Sequence, residues 1–86
     1  MPERRHEPVF GGFKEMSARR AALAAELAGR RQALGLSQTE VGARMRTSQS
    51  AVARIESGEL DVRLSTLERY AAAVGWRLDW RLEDLT

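Results

Sequence analysis

Residues 34–59 read LGLSQTEVGARMRTSQSAVARIESGE, and this stretch decides the fold. Two helical patterns follow each other here with only about three residues between them, which is typical of a helix-turn-helix motif. The first helix is predicted to open at Ser37, because SQTE is a capping box in which the side chains of Ser37 and Glu40 each accept the other residue's backbone N–H. This helix is predicted to run to about Met45.

The second helix of the motif is predicted to begin with Thr47 or Ser48 as its cap and to stop at Gly58. Two helices cross closely where one of them carries a small residue, and Gly42 supplies it in the first helix. The positions that must be buried between the helices are apolar: Val41, Met45, Val52 and Ile55. The sequence therefore meets the packing requirements of the motif.

The outer face at the start of the second helix is small or polar. It consists of Ser48, Gln49, Ser50, Ala53 and Arg54. In the major groove of DNA, Gln can form a forked pair of hydrogen bonds with adenine, and Arg can do so with guanine. The sequence therefore predicts that Gln49 and Arg54 read base edges, against the alternative of an ordinary solvated helix face.

The pattern L-S-Q-x-E followed by S-x-x-A-V-x-R-I-E-x-G is similar to the lambda-repressor-like, Cro-type DNA-binding domains, often called the XRE family. The resemblance covers about residues 18–75 and implies a helix-turn-helix domain that binds double-stranded operator DNA. It implies a phosphate contact for Gln38 and a structural ion pair between Arg31 and Glu56. The residues then expected to bind DNA are Gln38, Arg46, Thr47, Ser48, Gln49, Ser50, Ala53 and Arg54.

The chain departs from that family in the turn between the two motif helices. The family usually has glycine where the backbone angle φ is positive, and this chain has Arg46. A residue with a Cβ costs on the order of 1 kcal/mol in that conformation. We expect the fold to be kept, with Arg46 adding a guanidinium that can reach a phosphate.

Two further helices are predicted outside the motif. The first runs from a cap at Ser17 to a stop at Gly35, with apolar positions at helical spacing between them. The last opens at a second capping box, STLE, in which Ser65 would be the cap and Glu68 the reciprocating residue. It is predicted to end at Gly75. The expected fold is therefore mostly α, with about four helices.

The N-terminal residues 1–16 hold both prolines and a Gly-Gly pair, and they show no helical or strand period. They are predicted to be a flexible arm, with Phe10 and Phe13 as candidate docking residues, ahead of a DNA-binding domain over residues 17–75. Arg4, Arg5, Arg19 and Arg20 could form a DNA-facing arm or a merely charged tail.

The C-terminal stretch WRLDWRLE, residues 76–83, alternates strictly between apolar and charged residues, which predicts a half-buried β-strand. The apolar side consists of Trp76, Leu78, Trp80 and Leu82. A single strand has unpaired N–H and C=O groups along both edges. We therefore predict that residues 76–86 form a dimerisation strand and tail, which pairs with a second copy. The segment resembles the strand that ends HigA-type antitoxins of bacterial toxin–antitoxin operons.

Composition excludes several classes. Eighty-six residues make one domain, and no apolar run approaches the ~20 residues of a membrane span. The absence of cysteine suits the cytoplasm and removes thiolate chemistry. No catalytic triad, phosphate-binding loop or metal-ligand spacing is visible, so we predict a non-enzyme without cofactor or metal. Thirteen of fourteen basic residues are arginine, which permits nucleic-acid binding.

Three functions fit these features. The first is a homodimeric repressor that binds a palindromic operator and is the antitoxin of a type II toxin–antitoxin operon. The second is a stand-alone phage or controller-type repressor without a toxin. The third is chiefly a protein-interaction module that neutralises a toxin, for which the arm with Phe10, Phe13 and Met16 would be the contact surface.

Overall fold

The computed structural model describes residues 6–58 and 61–84, with side chains described from Lys14 onward. The described part of the chain consists of helices and connecting segments, without a β-strand. The helices are α1 (His6–Ala33), α2 (Gln38–Met45), α3 (Gln49–Ser57) and α4 (Leu64–Ala73). The predicted mostly helical fold with four helices is confirmed. None of the helices in the described ranges is both long and apolar enough to cross a membrane.

The first helix is longer than predicted. It begins at His6 and not near Ser17, so residues 6–16 of the predicted flexible arm are helical. Pro8 does not prevent this, because it lies in the first turn, where its missing N–H would have no helical acceptor. The predicted roles of Arg4 and Arg5 fall outside the described residues, as do those of the Phe10 and Phe13 side chains.

The core lies where α3 packs against α1 and α2, and where α2 packs against α4. Its buried residues are Ala24, Leu27, Val41, Met45, Val52, Ile55, Tyr70, Ala71 and Val74. The four positions of α2 and α3 that the sequence predicted to be buried are all among them. By contrast, residues 14–19 of α1 are exposed.

The turn between α2 and α3 is tight and left-handed. Arg46 has φ 61° and ψ 45°, the left-handed conformation that glycine usually occupies. The N–H of Thr47 donates to the Gly42 carbonyl at 2.7 Å and the N–H of Arg46 to the Ala43 carbonyl at 3.1 Å, which is a Schellman motif. A Cβ on Gly42 would lie 2.9 Å from the Thr47 carbonyl oxygen, so this position requires glycine.

The predicted caps of the motif are present, and the predicted cap of α4 is wrong. Ser37 and Glu40 form the capping box, and Ser48 caps α3. In α4, however, the residue before the helix is Arg63, without a side-chain hydrogen bond. The Arg63 carbonyl accepts the N–H groups of Thr66 and Leu67, which places Ser65 inside the first turn.

The C-terminal segment, residues 76–84, does not form the predicted strand in this single chain. No neighbouring strand exists among the described residues to accept its backbone hydrogen bonds. Leu78 packs against the core, whereas Trp76, Trp80 and Leu82 are exposed by 42%, 57% and 98%. The four residues of the predicted apolar face are therefore not buried together within one chain.

Candidate nucleic-acid interface

The start of α3 presents its polar side chains to solvent. Ser48 accepts the Ala51 N–H at 3.1 Å, and its hydroxyl lies 3.1 Å from that of Ser50. Ser48, Gln49 and Ser50 are all exposed. Because these residues precede the buried Val52, the N-terminal end of the helix projects from the domain while the rest of it is anchored in the core.

A hydrogen bond between two glutamines joins the starts of α2 and α3. Gln49 Nε2 donates to Gln38 Oε1 at 2.6 Å, and Gln38 Nε2 donates in turn to Glu56 Oε1 at 2.9 Å. The amide of Gln38 is thus held at both ends. This contact uses one N–H of Gln49 and leaves its oxygen and its other N–H without a bond to Gln38. A forked pair with adenine needs one amide oxygen and one N–H.

Glu56 is the centre of this network. Arg31 donates to both of its carboxylate oxygens, with Nε to Oε2 at 2.7 Å and Nη2 to Oε1 at 3.0 Å. The Tyr70 hydroxyl donates to the same carboxylate. Arg31 also donates to the Leu36 carbonyl at 2.8 Å. The side chains of Arg31 and Glu56 are only 11% and 9% exposed, so the pair is largely removed from water.

The pKa values of the three central groups follow from this geometry. Burial would raise the pKa of Glu56, but hydrogen bonds from Arg31, Tyr70 and Gln38 outweigh it and hold that pKa below its usual range. Burial and then the bond to Glu56 raise the pKa of Tyr70. The hydrogen bond to Glu56 raises the pKa of Arg31. At neutral pH, Glu56 is therefore a carboxylate that accepts from a neutral hydroxyl and a cation.

Arg54 lies on the outer surface of α3, one turn after Ser50, and is exposed. Together with Thr47 it lines an open cavity of about 360 Å³ between α3 and α4. Ala53 is half-buried, and Arg46 is exposed in the turn before α3. The eight residues predicted to bind DNA thus all lie on α3, on the turn before it, or at the start of α2.

Two residues near this surface, Tyr70 and Arg69, were not found from the sequence. Tyr70 is fully buried and supplies a hydrogen bond to Glu56. Its signal in the sequence was a tyrosine on the apolar side of α4, since a buried hydroxyl requires a partner. Arg44 and Arg69 line a second cavity beside the turn. For Arg44 the sequence leaves a phosphate contact and simple solubility as alternatives, and no sequence pattern distinguishes Arg69 from a solvated helix residue.

The end of α4 is held by arginines from two other helices. Arg44 donates to the Ala73 carbonyl at 2.8 Å and Arg30 to the Val74 carbonyl at 3.0 Å. The Arg30 guanidinium also lies 5.2 Å from the centre of the Trp76 ring, within the range of a cation–π contact. These contacts fix the direction in which the chain leaves α4 toward the C-terminal segment.

Comparison with known proteins gives a family and two named relatives. The sequence model of a helix-turn-helix domain matches residues 22–81. Antitoxin HigA1 of Mycobacterium tuberculosis (strain H37Rv) is 39% identical over 77 residues, which are 90% of this chain and 52% of that protein. Putative antitoxin HigA3 of the same strain is 47% identical over 62 residues, which are 70% of this chain and 57% of that protein. The chain thus spans about half the length of these relatives. No solved structure matches it.

Proposed function

We propose, from the premise that the chain belongs to the helix-turn-helix domain family, that it is a sequence-specific DNA-binding repressor. In this proposal it acts as a homodimer on a palindromic operator and is the antitoxin of a type II toxin–antitoxin operon. The main support for the proposal is the exposed start of α3. There Gln49 donates one hydrogen bond to Gln38, and its amide oxygen and second N–H make no bond to Gln38.

In the proposed complex, the N-terminal end of α3 enters the major groove. Gln49 pairs with adenine and Arg54 with guanine, while Ser48 and Ser50 contact bases or backbone. Ala53 packs against the groove wall. Around the groove, the phosphates are held by Gln38, Arg46 and Thr47, which fix the register of the protein on the duplex without reading sequence.

The homodimer is proposed to form through the C-terminal segment. Trp76, Trp80 and Leu82 are exposed apolar residues, and the backbone of residues 76–84 forms no strand within one chain. Antiparallel pairing of two copies about a two-fold axis would satisfy one edge of each strand and bury these side chains. The two recognition helices would then read half-sites about one helical turn, ~34 Å, apart.

The antitoxin role is supported by the names of the relatives, two proteins called antitoxins. A stand-alone repressor would have the same DNA-binding surface, so the two functions differ in the presence of a toxin partner. Toxin neutralisation as the main task remains the third candidate. Its candidate contact surface is the segment 1–16 with Phe10, Phe13 and Met16, of which Met16 is exposed.

A footprint on the promoter of the protein's own gene, with the molar mass of the free protein measured by light scattering, tests the proposal. The expected result is protection of a palindrome by a protein of dimeric mass. The variant Gln49→Ala should lose protection of the operator but keep weak binding to a scrambled duplex. Equal binding of wild-type protein to both duplexes would show that the protein does not read sequence.

Co-purification tests the antitoxin role separately. The protein is expressed together with the products of the adjacent genes, and a small protein retained at constant stoichiometry identifies the toxin. Operator binding without any retained protein would favour the stand-alone repressor. A retained protein without operator binding would favour the interaction module.

A further inference from the structure

We infer that an arginine-lined cavity beside the turn of the motif binds a backbone phosphate of the DNA next to the half-site. This inference rests on the proposed function, and it adds Arg44 and Arg69 to the interface. The cavity has a volume of about 610 Å³ and opens to solvent between α2 and α4. Its walls are formed by Arg44, Met45, Arg46, Arg69, Ala72 and Ala73.

The first argument is charge. Three of the six lining residues are arginines, and none is acidic. All three arginines are exposed. Within the described ranges, Arg46 and Arg69 form neither an ion pair nor a hydrogen bond through their side chains. Three guanidinium groups around one cavity repel each other, and an anion between them relieves that repulsion. Arginine is also the side chain whose planar fork best matches a phosphate.

The second argument is support from the backbone. Arg44 donates to the Ala73 carbonyl at 2.8 Å, so one of its nitrogens is tied to the end of α4 at the cavity wall. This bond orients the guanidinium and reduces the rotamer entropy that would be lost when it binds an anion. The cavity therefore has one fixed arginine and two that can adjust.

The third argument is position. Arg46 lies two residues before Ser48, which caps the proposed recognition helix. Arg69 lines this cavity and also the neighbouring one, which contains Arg54 and Thr47. Because Arg69 is shared, the cavity lies next to the surface that would face the major groove. Phosphates lie along both edges of the major groove over the whole duplex. With α3 in the groove, the anion within reach of the cavity would therefore be a phosphate at the edge of that groove.

The salt dependence of DNA binding tests this inference. Each phosphate contact contributes about 0.9 to the slope of log K against log salt. Arg69→Gln should lower the slope by about that amount, so the advantage of wild-type protein should shrink roughly threefold between 50 and 200 mM salt. The loss should be the same on the operator and on a scrambled duplex, because phosphates carry no sequence information.

Two matched variants complete the experiment. Arg69→Lys keeps the charge and should keep most of the slope, whereas Arg77→Gln removes the same charge from an exposed position away from the cavity and should leave the slope unchanged. A wild-type slope in Arg69→Gln overturns the inference, as does an equal fall in Arg77→Gln, which would indicate an effect of net charge alone.

The experiment also separates failure of the proposed function from failure of the phosphate assignment. If the wild-type protein binds neither duplex, the proposed function is wrong and the inference is wrong with it. If Arg69→Gln keeps the DNA slope but loses binding to polyglutamate, the cavity accepts an acidic protein segment, and the phosphate assignment is overturned. Circular dichroism melts of all variants establish that each is folded at the temperature of the binding measurements.

Discussion

Two regions have regular sequence patterns: the helix-turn-helix region, residues 36–58, and the C-terminal segment, residues 76–84. Only the first forms the structure that its pattern predicts. In the first, every predicted cap and buried position has its partner within the chain. In the second, strict alternation yields no strand, and only Leu78 packs against the core. Helices contain their own backbone hydrogen bonds, whereas a strand needs a neighbour. Periodicity therefore predicts a structure only where the required partner is present.

The largest decrease in the free energy of unfolding is expected from Glu56→Ala, which removes the hydrogen-bond acceptor shared by Arg31, Gln38 and Tyr70. A buried cation and a buried hydroxyl would lose their partner, and removing one member of a buried pair typically costs about 3 kcal/mol in the free energy of unfolding. Urea denaturation measures it. The exposed Glu26→Ala on α1 is the control and should change stability little.

The same variant tests whether stability and DNA contact are linked. Without Glu56, the Gln38 amide loses one of the two hydrogen bonds that hold it. Operator affinity at a temperature where the variant is fully folded should therefore fall below that of wild-type protein. Unchanged affinity in the folded variant would show that Gln49 does not depend on this network.

The second largest decrease in the free energy of unfolding is expected from Gly42→Ala. Its Cβ would lie 2.9 Å from one backbone carbonyl oxygen of the turn and 3.1 Å from another, so the helices must move apart. Overpacking of this kind costs roughly 2 kcal/mol. Gly29→Ala is the matched control, because a Cβ there meets nothing within 4 Å. In the control, higher helix propensity should stabilise the protein by up to about 1 kcal/mol. Thermal melts of the two variants should shift in opposite directions.

The sequence predicted the motif well because its determinants are local. Ser37, Gly42 and Ser48 each act on residues within six positions, so their roles can be read from nearby residues in the sequence. The start of α1 differs from the prediction because prolines and a Gly-Gly pair usually interrupt a helix, whereas Pro8 is tolerated in a first turn. The capping box predicted from STLE is wrong because Arg63, and not Ser65, is the residue that precedes α4.

The contacts that the sequence did not reveal join residues far apart in the chain. The bond from Tyr70 to Glu56 spans 14 positions, and that from Arg44 to Ala73 spans 29. No periodicity encodes which arginine reaches which carbonyl, because this depends on how two helices cross. The surface of the candidate interface was therefore predictable residue by residue, while the network that supports it was not.

A smaller effect is expected at the left-handed turn. Gly35 and Arg46 occupy the same position of a Schellman motif, with φ 72° and 61°. Arg46→Gly should therefore stabilise the domain by up to about 1 kcal/mol, and Gly35→Ala should destabilise it by a similar amount. Differential scanning calorimetry compares the two. Arg46→Gly should also weaken binding to any duplex, since it removes a cation beside the recognition helix. A more stable variant with unchanged DNA affinity would exclude a phosphate contact for Arg46.

The smallest effect on the free energy of unfolding is expected at the C-terminal segment, with a large effect on assembly. Trp80→Ser with Leu82→Ser replaces two exposed side chains outside the core, so the domain's own stability should change by only about 0.5 kcal/mol. If these residues form the proposed dimer interface, the variant should sediment as a monomer at concentrations where wild-type protein is a dimer. Arg77→Ser with Arg81→Ser, on the charged side of the alternation, is the control and should remain dimeric.

Truncation after Gly75 also tests the proposed dimer interface, because it removes the C-terminal segment and leaves the four helices. The truncated chain should be monomeric and bind a single half-site as weakly as the double serine variant, since two recognition helices are no longer held about one helical turn apart. A truncated protein that remains dimeric would place the interface on the helices. Within residues 76–83, only the packing of Leu78 against the core would then have a structural role. The alternating pattern would not indicate pairing with a second copy.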